Sequence, residues 1–117
     1  MRLLGWSVNL PFAATLFIFC LAPAYANGDD SKAQAIAKQN ACLGCHAVTK
    51  KIVGPSFQDV AKKYANNPGA TALLKNKIQK GGSGSWGVVP MPANVKLSDA
   101  DLSALTSWIL RGAPTSN

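Results

Sequence analysis

The chain has 117 residues, with 12 Lys and Arg against 5 Asp and Glu and a formal charge of +7. That length allows one domain at most. The basic balance suits acidic partners or an anionic surface, but the lysines are scattered singly and in pairs and no nucleic-acid-binding motif accompanies them, which excludes nucleic acid.

The first stretch reads as a leader. Arg2 gives a positive start, and an apolar run from Leu10 to Leu21 is broken only by Pro11 and Thr15. Ala22-Pro23-Ala24-Tyr25-Ala26 follows, with small residues at Ala24 and Ala26. That order is a secretory signal peptide over residues 1–26. Cleavage is expected after Ala26, with Ala24 as the other site. An uncleaved anchor is the competing reading, but the apolar stretch is shorter than the ~20 residues of a span, so no stable membrane insertion is expected after cleavage. Bulky Phe19 before Cys20 argues against a lipid-modified cysteine. The mature domain is then residues 27–117, one positive charge poorer through the loss of Arg2. A domain this short buries little apolar surface and gains from a staple or cofactor.

Four helices and no strand alternation are predicted beyond the leader. Ser31 and Gln34 make a capping box for a helix to about Asn40, with Ala33, Ile36, Ala37 and Asn40 on one face. A second helix starts after Pro55, where Phe57, Val60 and Tyr64 recur at helical spacing. Asn67-Pro68 reads as an N-cap with Pro in the first turn. The helix it opens sets Leu74 and Ile78 four apart and stops at Gly81-Gly82. The fourth has Ser98 as cap, Asp99 and Asp101 at its positive end, and Leu97 stapled to Leu102. Its buried stripe is Leu102, Leu105 and Ile109, with Trp108 beside it. Between the third and fourth helices, residues 81–92 begin Gly-rich and end in Pro90-Met91-Pro92. The Lys-Ser/Thr ending of a phosphate-binding loop is missing.

Cys42-Leu43-Gly44-Cys45-His46 is the haem-attachment pattern C-x-x-C-H. Two thiols three positions apart on one turn reach the two vinyl groups of one porphyrin, and each forms a thioether. His46 then faces the iron. A thioredoxin-like disulfide would need a βαβ pattern, which is not found. A structural zinc site needs four ligands, and beyond the leader the chain offers two Cys and one His.

The sixth position of the iron is filled or open. No second His exists, and Met91 is the one Met outside the start. A lone Met is an ordinary gap-filler. Here it lies between two prolines, which restrict the backbone, and follows a flexible loop. His/Met ligation raises the reduction potential and closes the iron to oxygen and peroxide.

In these motifs the chain resembles the short bacterial class I cytochromes c, periplasmic carriers that serve nitrite reductases and terminal oxidases. The resemblance runs from the first helix to about Leu110. It rests on the pentapeptide, on Val53-Gly54-Pro55-Ser56-Phe57, on Trp86-Gly87 and on Pro90-Met91-Pro92-Ala93-Asn94. It implies an all-α cytochrome c fold, four helices around one covalent haem c held by Cys42 and Cys45, with His46 and Met91 as axial ligands. It also implies that the Pro55 carbonyl fixes the His46 ring, that Trp86 donates to a haem propionate, and that Asn94 bonds near the Met91 sulfur. Lys77 stands where relatives often carry a propionate-binding Arg, and it lacks the planar bidentate fork. Against these roles stand a turn proline, a core aromatic and a turn asparagine.

The resemblance further implies an exposed haem edge, for which Leu43, Ile52, Val53, Val88 and Val89 are candidates, with Lys50 and Lys51 to steer an acidic redox partner. The expected function is periplasmic single-electron transfer by a monomer in a respiratory chain, not an enzyme. A haem enzyme would need an open iron and a distal acid–base residue. A gas sensor or docking module would need appended sequence, and the chain ends soon after its last helix.

Overall fold

A computed structural model describes residues 27–116; the leader over residues 1–26 and its cleavage site lie outside them. The described residues form four α-helices: α1 Asn27–Gln39, α2 Phe57–Tyr64, α3 Ala70–Lys80 and α4 Asp99–Leu110. A 3₁₀ turn, Cys42–Gly44, follows α1. The described residues contain no strand, only two isolated bridges, His46 with Lys51 and Gly82 with Met91.

Helix α4 packs against all three others. Its Leu102, Leu105, Trp108 and Ile109 are buried with Ala33, Ile36 and Ala37 of α1, Phe57 and Val60 of α2, and Leu74 and Ile78 of α3. Each large aliphatic side chain removed from water in this way contributes roughly 1.5–3 kcal/mol. Ser98 caps α4 as expected, accepting from the Asp101 N–H at 3.1 Å. Ser56 caps α2 in the same manner, accepting from the Asp59 N–H at 3.0 Å.

Two helix starts differ from expectation. α1 begins at Asn27, a turn before Ser31. Asp29 and Asp30 occupy its first turn, where the helix dipole favours acids, and Asp30 pairs with Arg111 beyond α4. Tertiary contact therefore extends the helix. Ser31 lies inside it, and Gln34 donates to the Pro114 carbonyl at 3.0 Å instead of closing a capping box. Likewise, Asn67-Pro68 forms a turn ahead of α3 rather than its cap. Asn67 Oδ1 accepts from the Gly69 N–H at 2.8 Å, an Asx turn, and the helix proper starts at Ala70.

Candidate functional site

The C-x-x-C-H segment is shaped by the end of α1. Asn40 Nδ2 donates to the Ile36 carbonyl at 2.9 Å, and Ala41 turns left-handed with φ 58°. This ends the helix as an αL cap does. The next turn is tight: the Cys45 and His46 N–H groups both donate to the Cys42 carbonyl, at 3.1 and 2.9 Å. Both sulfurs and the imidazole are thereby carried on one turn. It is a 3₁₀ turn.

The His46 ring is held from three directions. Its Nδ1 donates to the Pro55 carbonyl oxygen at 2.7 Å. A carbonyl only accepts, so Nδ1 carries a proton, and in the neutral imidazole this leaves the Nε2 lone pair for a metal. Phe57 stacks on the ring, with centroids 5.4 Å apart and planes 13° apart. Trp108 meets Phe57 edge-on at 5.2 Å, which ties the imidazole to the core. Gly54 closes against the ring. Pro55 itself is fixed by its neighbours: the Gly54 N–H donates to Cys45 O at 2.8 Å and the Phe57 N–H to Ala47 O at 3.0 Å.

Met91 comes from the other side of the fold. α3 stops at Gly81, whose φ of 68° and close approach to the Ala93 backbone leave no room for a side chain. Gly82 and Met91 then exchange both backbone bonds, Gly82 N–H to Met91 O at 2.9 Å and Met91 N–H to Gly82 O at 3.0 Å. This pair closes the neck of the Gly-rich loop and sets the place of Met91.

One cavity of about 620 Å³ brings these parts together, within the ~300–1,000 Å³ range of cofactor sites. Cys42, Cys45, His46, Pro55, Lys77, Trp86, Met91 and Asn94 all line it, with Val60, Leu74, Ile78, Leu105 and Ile109 among its apolar walls. Burial pushes the Cys42 thiol above its ordinary pKa, with the neighbouring Cys45 adding to the rise against a lowering backbone hydrogen bond. Asn94 Nδ2 donates to the carbonyls of Ile78 and Pro92, each at 3.4 Å. Leu43, Ile52, Val53, Val88 and Val89 are exposed. Of these, Val53, Val88 and Val89 also line the cavity, and Lys50 and Lys51 are exposed.

The family model for cytochrome c matches residues 31–113. The chain belongs to the cytochrome c family. It is 48% identical over 90 residues to cytochrome c-552 of Nitrosomonas europaea, covering 77% of this chain and 84% of that one. It is 49% identical over 77 residues to cytochrome c-552 of Hydrogenobacter thermophilus, covering 66% and 78%. The crystal structure of the Nitrosomonas europaea cytochrome c552 superposes with a TM-score of 0.65 at 49% identity, over 68% of this chain and 98% of that one. The class 1 cytochrome MtoD of Sideroxydans lithotrophicus gives 0.64 at 31% identity, over 72% and 96%.

This cytochrome c is accordingly a small class I electron carrier rather than an enzyme, with one covalent haem c as its cofactor. Its own residues fit that group. The cavity is walled by aliphatic side chains, two sulfurs three residues apart stand on its wall, and the proton on His46 is placed away from Nε2. Among the described residues no cluster of three His, Cys, Asp or Glu side chains is arranged to hold a metal ion. Sequence reasoning gave no role in the site to Gly54 and Phe57, although both lie in the Val53–Phe57 motif. Their work is contact with a ring, which spacing does not reveal. It also missed Lys63, whose partner is 23 positions away.

Proposed function

We propose that this protein carries single electrons in a bacterial periplasm, with His46 Nε2 and the Met91 sulfur as the axial ligands of its haem iron. The observation that carries this reading is the His46–Pro55 hydrogen bond, which commits Nδ1 and reserves Nε2. The placing of Met91 on the same cavity by the Gly82 bridge supports the second ligand. When bound, the haem supplies one-electron exchange at iron. The chain's part is to orient the imidazole, exclude water with aliphatic walls and leave one apolar rim open. His/Met ligation keeps the potential high and denies the iron to small ligands.

Residues 1–26 act as the cleaved export signal, and residues 27–117 form one monomeric domain. Among the described residues no helix is long and apolar enough to cross a membrane. The partners are acidic redox proteins, of the kind found between a respiratory donor complex and a nitrite reductase or terminal oxidase. The charge distribution supports this. Asp30, Asp59, Asp99 and Asp101 are all engaged in ion pairs on α1, α2 and α4. No acid lines the cavity, while Lys51 and Lys77 do. Exposed valines, with Lys51 and Lys77 on a cavity lining that holds no acid, suit brief encounters steered by charge.

The test is the visible spectrum of the mature protein, oxidised and reduced. The weak long-wavelength band of ferric iron bound to a Met sulfur is expected, and it vanishes in Met91→Ala. The reduced wild type is expected not to bind carbon monoxide. A haem spectrum without that band, together with carbon monoxide binding, rules out this ligation and reopens the enzyme and sensor readings.

A further inference from the structure

Lys63 stands near the end of α2, yet its ammonium serves the Gly-rich loop. Nζ donates to the Ser85 carbonyl at 2.6 Å and lies 4.3 Å from the centroid of the Trp86 ring. That is a charge-assisted hydrogen bond and a cation–π contact made by one group. The neighbouring Lys62 instead faces Asp59 at 4.0 Å, and no ion pair neutralises Lys63 among the described residues. The loop needs such a hold. Its neck is closed by the Gly82–Met91 pair, and its tip turns on itself through Gly84 N–H to Gly87 O at 2.8 Å. Between neck and tip, the tie to the helical body among the described residues is Lys63.

We propose that Lys63 is a positioning residue that latches Ser85 and Trp86 to α2 across the cavity mouth. The latch keeps the loop closed and so slows exchange of Met91 for outside ligands. This second step rests on Met91 being the iron ligand; the latch itself does not. Sequence offers no hint of it, since Lys62 and Lys63 look alike as a solvated pair.

Ferric holoprotein tests it. Lys63→Met, Lys63→Arg and Lys62→Met are compared with wild type for the rate of imidazole binding and for hydrogen exchange at the Gly84 amide. Lys63→Met is expected to bind imidazole about tenfold faster, the factor that about 1.4 kcal/mol of lost tethering gives. Gly84 exchange is expected to accelerate as well. Lys63→Arg restores both and Lys62→Met changes neither. Wild-type imidazole and exchange rates in Lys63→Met overturn the proposal. If wild type itself lacks the Met–iron band, the ligation reading falls, and amide exchange alone then decides for or against the latch.

Discussion

Gly54 lies flat against the ring of His46: a β-carbon built on it would stand 2.8 Å from Nδ1 and 2.9 Å from Nε2. Backbone conformation does not demand glycine here, because Gly54 is not among the positive-φ residues. The demand comes from the imidazole, which has the Pro55 carbonyl on one edge and Phe57 stacked on it. Gly54→Ala must therefore push the ring off its acceptor. We expect the holoprotein to lose about 2 kcal/mol, within the range for overpacking a tight site, measured by guanidinium unfolding. A loss below about 0.5 kcal/mol would mean that the ring has slack.

The Pro114 carbonyl accepts from two donors, Trp108 Nε1 at 2.9 Å and Gln34 Nε2 at 3.0 Å. Trp108 is 2% exposed, so its N–H has no ready substitute in water. Removing residues 114–117 is expected to cost about 1–3 kcal/mol, the penalty of a buried donor left unpaired. Pro114→Ala keeps the carbonyl and should cost much less. Equal losses in the two variants, again by unfolding titration, would assign the effect to the proline ring rather than to the hydrogen bond.

The Ser98 hydroxyl, by donating to it, holds the Asp101 carboxyl below the usual carboxylate range against the opposing effect of desolvation, and Lys32 lowers it further. A carboxyl whose pKa is lowered by folding stabilises the fold above its unfolded value, near 3.9, and ceases to do so as pH falls through the lower folded value. Ser98→Ala removes that hydrogen bond and the helix cap together. Its deficit relative to wild type should be largest at neutral pH and should narrow below about pH 4. Thermal melts at pH 7 and pH 3 measure the gap; a constant gap would leave only the cap in play.

Lys51 and Lys77 line the cavity in a region without acids. Oxidation of the ferrous protein by ferricyanide, an anion, should slow as salt rises, because screening weakens attraction between opposite charges. In Lys51→Glu/Lys77→Glu the low-salt rate should fall several-fold, on the order of what a steering field supplies, and the salt slope should flatten. Stopped-flow rates across a salt series provide the check. An unchanged slope would place electron exit elsewhere on the surface.

The residues expected to carry chemistry were the most legible part of this chain. Cys42, Cys45 and His46 announce themselves by spacing, and Met91 by scarcity and its flanking prolines. All eight residues singled out from the sequence line one cavity. The end of α3 at Gly81 and the cap at Ser98 were legible because those signals are local. What escaped depends on distant partners. The start of α1 is held by an Arg111–Asp30 pair that spans most of the domain. The stacking of Phe57 on His46 and the reach of Lys63 to Trp86 arise only once helices are packed. The contacts of Asn94 with the Ile78 and Pro92 carbonyls likewise depend on how the loop packs on α3.

The paired bonds between Gly82 and Met91 divide the segment after α3 into two parts with separate duties. Below the neck, the register of Met91 is locked to the end of α3. Above it, residues 83–90 form a closed ring whose length does not enter that register. Lengthening such a ring adds closure entropy only slowly, about 0.6 kcal/mol per doubling. The number of residues in that outer ring can thus change by insertion or deletion without shifting the register of Met91 against the end of α3.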